Sequence, residues 1–496
     1  MDNMDTTLPM VPAQPVVIDG STLEGGGQIL RSTTACSLIT RKPLRVAKIR
    51  ANRPKPGLSA QHVSVVALLS SMLPKTLLKG GEIGSCALEI TPPPYPPSSS
   101  SPSGAVFSSS YHADCGTAGA ISLITQAALP CLVFSPINSG QIILILKGGT
   151  NVNFSPPIDH TEHVLLPLLR SIGFNVQCEV KRRGYYPVGG GEVHLKITPT
   201  LPSSALSLTD RGQVNKVACI IFGEGPSYDI AAKELEIELK TELEKLFADL
   251  ATECPDIVIN VVRIIQPPKD LRQNKQPKKG NSSLGAQVCA YTTTNMILSA
   301  NHLECSRNNF EEHPVKANII SGILGKLSQL VKSGACVDEL TADQLIIYMA
   351  FLPHSSKLLV EPPTEHSSLH LQTSIEMVKK MSNAEFTIES TENGCRLIVC
   401  TQPDAVAGSR AMEPIVSTTI DNDSASAEDN DKNDGVTEQK TANIDRLLSI
   451  AHGKAAENRA AIDRKIAASA AHIRPHVSMT SSPASTPLEK RVRKKR

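Results

Sequence analysis

The segment Arg183-Gly-Tyr-Tyr-Pro-Val-Gly-Gly-Gly-Glu-Val193 is the most distinctive stretch of the chain. Its run of consecutive glycines leads into a predicted strand. Glycine permits backbone conformations that other residues avoid, and it lets backbone N–H groups come close to an anion. Tight turns use glycine for conformational reasons alone, so this segment by itself leaves a structural and a phosphate-binding interpretation open.

Two further segments are dense in glycine. Leu23-Glu-Gly-Gly-Gly-Gln-Ile-Leu-Arg31 opens a predicted helix, and its arginine could add a bidentate contact to a phosphate group. Lys147-Gly-Gly-Thr-Asn151 directly follows an apolar predicted strand. The usual nucleotide-binding motifs are absent from the sequence: Gly325-Lys326, for example, is followed by Leu327 where a P-loop requires serine or threonine.

A basic cluster follows the first glycine segment. It comprises Arg45, Lys48, Arg50, Arg53 and Lys55. Arg50 and Arg53 flank the end of a predicted strand, where two guanidinium groups could converge on one phosphate. An ordinary solvated strand end explains the same charges equally well.

The histidines give weak signals when taken one at a time. His160-Thr-Glu-His163 and His302-Leu-Glu-Cys305 have loose metal-ligand spacing, but neither reaches the four ligands of a structural zinc site. We therefore expect no metal centre there. His366 and His370 lie close together, and spacing alone assigns neither of them a role.

Composition excludes several classes of protein. The chain has 496 residues, with 50 Lys+Arg against 48 Asp+Glu, so the net charge of +2 gives no global attraction to nucleic acid or membranes. Aromatic residues are sparse, which argues against a stacking platform for single strands. The 12 cysteines form no C-x-x-C pair, and without a signal peptide we expect reduced thiols in the cytosol or nucleus. The most apolar stretch, 128–146, is interrupted by prolines and fits no transmembrane helix.

Apolar runs of strand length alternate with helical patterns, which indicates an α/β fold. We predict a large domain in two parts, a small α/β domain inserted into it, and irregular ends. The predicted boundaries are a flexible arm at 1–12, the large domain at 13–205 and 281–401 with a Pro/Ser-rich loop at 91–104, the inserted domain at 206–280, and a mostly disordered tail at 402–496 with a possible helix at 442–473. Six of the last seven residues are basic, which suits a nuclear import signal, nucleic-acid binding or simply a solvated end.

Taken together, these segments resemble the RNA 3′-terminal phosphate cyclase family, and the similarity runs from about Val16 to Ile398. Arg183 to Val193 meets in full the family signature Arg/His-Gly-x-x-Pro-x-Gly-Gly-Gly-x-aliphatic. The other matching segments follow in the family's order: Glu24 to Arg31, Arg50 to His62, His112 to Gly119, Lys147 to Asn151, Asp343 to Leu345 and Leu369 to Thr373. The resemblance implies repeated βαβαββ-type units, like those in the C-terminal domain of a translation initiation factor, with a small α/β domain inserted late in the chain.

The resemblance also implies a reaction in RNA processing. A histidine attacks the α-phosphate of ATP, the AMP moves to an RNA 3′-phosphate, and the neighbouring 2′-OH then closes a 2′,3′-cyclic phosphate and releases AMP. The expected partners are ATP with Mg²⁺ and an RNA with a 3′-phosphate end, without membrane association. The expected location is nuclear or cytoplasmic, and the basic C-terminus favours the nucleus.

The resemblance assigns site residues position by position. His370 lies in the Leu-His-x-Gln-Thr context of the nucleophile, whereas His366 does not. The expected nucleotide contacts are Gln126, Pro156, Asp343 and Gln344. The expected pocket for the phosphates and the RNA end comprises Glu24, Arg31, Arg50, Arg53 and Gln61. No protein metal site is assigned, because Mg²⁺ is expected to arrive with the nucleotide.

The sequence departs from the family pattern at two places, and two alternative functions remain open. Leu340 occupies a position where the family usually has tyrosine, and Ser299 to Ser306 differs from the family's Ser-Ser-Leu-Gly segment. The first alternative is a catalytically inert, cyclase-like scaffold in ribosome assembly, but such proteins lack the histidine and the Glu-Gly-Gly-Gly-Gln segment that this chain retains. The second is a general RNA-binding protein that uses its basic tail.

Overall fold

The computed structural model describes residues 14–94, 108–135, 140–224, 228–250, 258–266, 282–306, 315–363 and 367–402. The predicted arm at 1–12, most of the Pro/Ser-rich loop and the segment from 403 onward, including the predicted helix at 442–473, lie outside the described residues. No described helix is long and apolar enough to cross a membrane.

The chain begins with a βαβαββ unit, which we call repeat 1. Its elements are β1 (Val16–Asp19), α1 (Gly27–Thr40), β2 (Leu44–Ala47), α2 (Ala60–Met72), β3 (Leu77–Lys79) and β4 (Leu88–Thr91). The sheet order is β1-β2-β4-β3, and β1 pairs with β2 in parallel while the other pairs are antiparallel. Almost every residue of α1 from Gln28 to Leu38 is buried, so this helix lies inside the molecule.

Repeat 2 has the same order and the same strand directions. Its elements are β5 (Ser110–Asp114), α3 (Ile121–Val133), β6 (Ile142–Gly148), α4 (Ile158–His160), a π-helical turn (Thr161–Leu165), α5 (Leu166–Ser171), β7 (Asn175–Arg182) and β8 (Gly191–Thr198). The sheet order is β5-β6-β8-β7, with β5 and β6 parallel. The side chains of β6 alternate between the core and the other face, as expected for a strand covered by helices on one side.

A separate sheet follows the short strand β9 (Ser207–Leu208). It is built from β10 (Val214–Glu224), α6 (Tyr228–Asp249), β11 (Val258–Gln266), β12 (Ser282–Thr292) and β13 (Ile297–Ser306), and α7 (Val315–Ser333) contacts β13. The strand order is β11-β10-β12-β13, and the sheet and its helices have their own hydrophobic core. This unit, which we call the inserted domain, includes strands and a helix beyond residue 280, where the sequence analysis placed its end.

Repeat 3 resumes after the inserted domain. It consists of β9 together with α8 (Glu339–Phe351), β14 (Ser356–Val360), α9 (Ser367–Met381), β15 (Glu385–Ser390) and β16 (Arg396–Thr401). The sheet order is β9-β14-β16-β15, again with the first pair parallel. The inserted domain therefore interrupts repeat 3 between its first strand and its first helix.

The first helices of the repeats meet inside the large domain. α1 packs against α3 and α9, and α3 also contacts α8. One hydrophobic core extends through all three repeats. The predicted α/β fold of repeated βαβαββ units is confirmed, and the junction of these helices places the polar residues described next.

Candidate active site

A small pocket opens where α1, α3, α8 and α9 meet. It is lined by Gln28, Arg31, Ser32, Gln126, Asp343, Gln344, Ile347, Ser374 and Val378. Four of these residues were predicted from the sequence as site residues: Arg31, Gln126, Asp343 and Gln344. The pocket thus draws on the first helix of every repeat.

Arg31 is the charged centre of the pocket. It is only 7% exposed, its Nε donates to Gln126 Oε1 over 2.7 Å, and its Nη2 donates to Gln28 Oε1 over 2.6 Å. Burial lowers the pKa of the guanidinium, while Asp343 and Glu24 oppose that shift through space. Amide oxygens therefore orient this cation without neutralising it, which suits a side chain that binds an anion.

Two residues of α8, Asp343 and Gln344, also line the pocket. Burial raises the pKa of Asp343 to about 8, with Arg31 opposing the shift and Glu339 and Asp338 adding to it. Asp343 is therefore largely protonated at neutral pH and can donate a hydrogen bond. The Gln344 amide donates to the carbonyl oxygen of Leu340, one helical turn earlier.

The first glycine segment holds a carboxylate beside this pocket. Glu24 Oε2 accepts from the backbone N–H of Gly26 over 2.7 Å, and Glu24 Oε1 accepts from Arg53 Nη2 over 2.7 Å. A Cβ atom on Gly26 would lie 2.1 Å from Glu24 Oε1 and 2.9 Å from Arg53 Nη2. A side chain at Gly26 would therefore displace the Glu24 carboxylate or the Arg53 guanidinium from this pair.

The predicted nucleophile lies on the first turns of α9. His370 is exposed, and the backbone N–H of Glu24 donates to Thr373 Oγ1, on the same helix, over 3.3 Å. Desolvation lowers the pKa of His370; Glu24 opposes this shift, whereas Arg31 and Arg53 add to it. A neutral imidazole at pH 7 is a competent nucleophile. His366 lies outside the described residues.

Three other predicted residues lie around the pocket rather than in its lining. Arg50 donates to the carbonyl oxygen of Gly57 over 2.8 Å, so it does not join Arg53 at Glu24. Gln61 Oε1 accepts from the backbone N–H of Ala120 over 3.1 Å, immediately before α3. The carbonyl of the buried Pro156 accepts from Ser122 Oγ over 2.6 Å, one turn before Gln126.

His62 was not assigned a role from the sequence. Burial lowers the pKa of His62 to about 3, and Arg31 and Arg50 add to the shift, so the ring is neutral. Its Nδ1 accepts from the backbone N–H of Ser59 over 3.1 Å and caps the start of α2. The only sequence signal is a serine followed three residues later by a polar residue, a capping-box pattern that histidine rarely fills.

The signature segment has a structural role in this fold. Arg183 is 3% exposed, and it forms two hydrogen bonds of 2.5 and 2.7 Å with the carboxylate of Asp159. Gly189 has a φ of +64°, and a Cβ there would lie 2.5 Å from the carbonyl oxygen of Thr117. Of the two interpretations left open by the sequence, these contacts favour close backbone packing.

In each of the two loose metal motifs a histidine contacts a carboxylate. His163 Nε2 lies 3.7 Å from Glu162 Oε2, and His302 Nε2 lies 2.9 Å from Glu304 Oε1. Within the described ranges, no group of three or more His, Cys, Asp or Glu side chains is arranged to hold a metal ion.

Comparison with known proteins identifies the family. The family model for RNA 3′-terminal phosphate cyclases matches residues 22–388, which include repeat 2, the inserted domain and most of repeats 1 and 3. The chain belongs to the RNA 3′-terminal phosphate cyclase family, as the sequence resemblance indicated.

Individual relatives agree with this membership. A probable RNA 3′-terminal phosphate cyclase of Dictyostelium discoideum is 32% identical over 393 residues, covering 77% of this chain and 82% of the relative. The cyclase of Drosophila melanogaster is 31% identical over 383 residues, covering 77% and 95%. The cyclase of Metallosphaera sedula is 32% identical over 376 residues, covering 75% and 96%.

Proposed function

We propose that this chain converts an RNA 3′-terminal phosphate into a 2′,3′-cyclic phosphodiester at the expense of ATP. The observation that carries the proposal is the pocket lined by Arg31, Gln126, Asp343 and Gln344. The backbone N–H of Glu24 joins the glycine segment to the first turns of α9, which carry His370, by donating to Thr373 Oγ1 over 3.3 Å. Family membership supports the same activity, since the named relatives are RNA 3′-terminal phosphate cyclases.

In the first step, a nitrogen of His370 forms a bond to the α-phosphorus of ATP, and the α–β phosphoanhydride bond breaks to release diphosphate. The lowered pKa keeps the imidazole unprotonated and nucleophilic near neutral pH. Arg31 and Arg53 offset the charge that develops on the transferring phosphoryl group. Mg²⁺ enters with the triphosphate as part of the substrate.

In the next two steps the RNA end replaces the histidine. An oxygen of the RNA 3′-phosphate attacks the adenylyl phosphorus, which breaks the N–P bond and gives an RNA–ppA end. The adjacent 2′-oxygen then attacks the terminal phosphorus of the RNA, loses its proton, and expels AMP. The neutral Asp343 and the amides of Gln126 and Gln344 provide hydrogen-bonding groups for the nucleotide.

A cyclisation assay tests the proposal. Purified protein is incubated with a 3′-phosphate RNA, ATP and Mg²⁺, beside a 3′-OH RNA and the His370→Ala variant. We expect a phosphatase-resistant 2′,3′-cyclic end with wild-type protein on the 3′-phosphate RNA only. Folded wild-type protein that leaves this end unchanged would contradict the proposal and favour the scaffold alternative.

A further inference from the structure

A buried polar cluster joins three distant parts of the chain behind the pocket. His160 ends α4 in repeat 2, Ser299 lies on β13 of the inserted domain, and Asp338 precedes α8 in repeat 3. His160 is 0% exposed, Asp338 5% and Ser299 6%. We call these three residues, together with Thr341 of α8, the α8 anchor.

The carboxylate of Asp338 is the centre of the anchor. Its Oδ1 accepts from the backbone N–H of Thr341 over 3.0 Å and lies 3.3 Å from His160 Nε2. Its Oδ2 accepts from Ser299 Oγ over 2.8 Å and from Thr341 Oγ1 over 3.0 Å. Asp338 is thus the N-cap of α8, and two of its partners come from outside repeat 3.

The carboxylate of Asp338 is ionised in the anchor. Burial opposes its ionisation, but His160, Ser299 and Thr341 outweigh burial and hold the pKa of Asp338 below the usual range. His160 Nε2 lies 3.1 Å from Thr341 Oγ1 as well as 3.3 Å from Asp338 Oδ1, so this ring contacts both residues of the α8 N-terminus. An ionised carboxylate at this end of α8 is also stabilised by the helix dipole.

Asp338 and Thr341 of the anchor belong to α8, the helix that also carries Asp343 and Gln344 of the pocket. Asp343 follows Asp338 by five residues, which is about 7.5 Å along an α-helix. The charge of Asp338 also contributes to the raised pKa of Asp343. A shift of the first turn of α8 would therefore change both the position of Asp343 and Gln344 and the electrostatic field at the pocket.

We propose that Ser299 and His160 are positioning residues for the nucleotide site: they fix the N-terminus of α8, and thereby allow the inserted domain and repeat 2 to control ATP binding. This inference rests on the proposed function. It gives the inserted domain a role in nucleotide binding, although none of its described residues lines the pocket.

The test measures binding of α,β-methylene-ATP with Mg²⁺ by titration calorimetry, because this analogue cannot undergo adenylyl transfer. The variants are Ser299→Ala, His160→Leu and His160→Gln, the last of which retains a donor near the position of Nε2. Ser283→Ala is the matched control: Ser283 is 1% exposed on β12 of the same sheet, and its Oγ lies 3.4 Å from Cys305 Sγ. Thermal unfolding of every variant is recorded in parallel.

We expect Ser299→Ala and His160→Leu to weaken analogue binding about fivefold or more, since each removes a hydrogen bond to a buried charge. His160→Gln should remain within about twofold of wild type, and Ser283→Ala should be unchanged. Lower thermal stability with unchanged affinity in Ser299→Ala would show a structural role only and overturn the inference.

Two further outcomes separate the inference from the proposed function. If Ser299→Ala does not fold, the comparison of His160→Leu with His160→Gln decides, and equal affinities overturn the inference. If folded wild-type protein does not bind the analogue, the proposed function fails and the inference fails with it.

Discussion

Two buried arginines of this molecule have opposite surroundings. Arg183, in the signature segment, is bound by the carboxylate of Asp159 through two short hydrogen bonds. Arg31, in the pocket, donates to the amide oxygens of Gln126 and Gln28. Burial alone would lower the pKa of Arg183, but Asp159 outweighs it and the pKa is raised, whereas the pKa of Arg31 is lowered.

The two arginines differ in whether the buried charge is matched by an opposite charge inside the protein. Asp159 of α4 offsets the charge of Arg183, which directly follows β7, so this pair joins the two elements. The charge of Arg31 is oriented but left available, and a phosphate group in the pocket would offset it. The same substitution, arginine to methionine, can be made at both positions because methionine retains much of the side-chain volume.

Arg183→Met should have the largest effect, and it should act on stability. The change leaves the buried carboxylate of Asp159 without its cation, which costs about 3–5 kcal/mol in free energy of unfolding. Urea denaturation measures this loss. Arg45→Met is the control, because Arg45 and Glu89 form an exposed pair at 3.5 Å that should contribute less than about 1 kcal/mol. Equal losses in the two variants would mean that the Arg183 pair is not a structural element.

Arg31→Met should affect the rate of catalysis more than stability. The variant should lower the rate of enzyme adenylylation about 100-fold, because a cation facing the transferring phosphoryl group is removed. Its free energy of unfolding should fall by only about 1–3 kcal/mol, since the hydrogen-bond partners of Arg31 are two amide oxygens rather than a carboxylate. Single-turnover labelling measures the adenylylation rate, and urea denaturation measures the free energy of unfolding. A destabilisation as large as that of Arg183→Met would remove the distinction between the two arginines.

Asp343→Asn should change the pH dependence of adenylylation. In wild type the carboxyl ionises near pH 8, and the resulting anion would compete with phosphate for Arg31. We therefore expect the rate to fall about tenfold per pH unit above that value, and we expect the variant to lack this fall. Rates measured between pH 6 and 9.5 check this, and an identical alkaline limb in both proteins would contradict it.

The same carboxyl also links stability to pH. Its pKa is raised from 3.8 to about 8 on folding, so the folded state holds the proton more tightly between these values. Its stabilising contribution is complete below about pH 4 and is lost as the pH rises through 8. Asp343→Asn should therefore flatten the decline in stability over that interval.

Leu340→Tyr should have the smallest effect. It restores the aromatic residue that the family usually has before the Asp-Gln pair, and stacking of a base on an aromatic ring is worth about 1–3 kcal/mol. We expect the KM for ATP to fall by about fivefold with kcat unchanged, as steady-state kinetics would show. Leu340→Met is the control, because methionine changes the shape and flexibility of the side chain without adding an aromatic ring.

The sequence predicted much of this architecture, and the parts it missed have physical reasons. In the sequence, Gly25–Leu38 and Gly116–Leu129 each run from glycine into an apolar helical pattern, and these two stretches contain most of α1 and α3. The sequence pattern did not reveal repeat 3, because the inserted domain separates β9 from α8 and because α8 starts with an aspartate cap rather than glycine.

The sequence carries a signal for four residues of the pocket and none for its support. The family resemblance assigned Arg31, Gln126, Asp343 and Gln344, and all four line the pocket. The α8 anchor could not be found this way, because His160, Ser299 and Asp338 are single polar residues far apart in sequence. Only the tertiary fold shows that they are buried and bonded to one another.

His370, beside the pocket, is the proposed carrier of the adenylyl group. The most direct measurement is incubation with [α-³²P]ATP and Mg²⁺, followed by peptide mapping of the acid-labile label in wild type, His370→Ala and His370→Gln. We expect label on the peptide containing His370 in wild type and no label on either variant. Label that persists in both variants would assign the nucleophile to another residue and contradict the proposed mechanism.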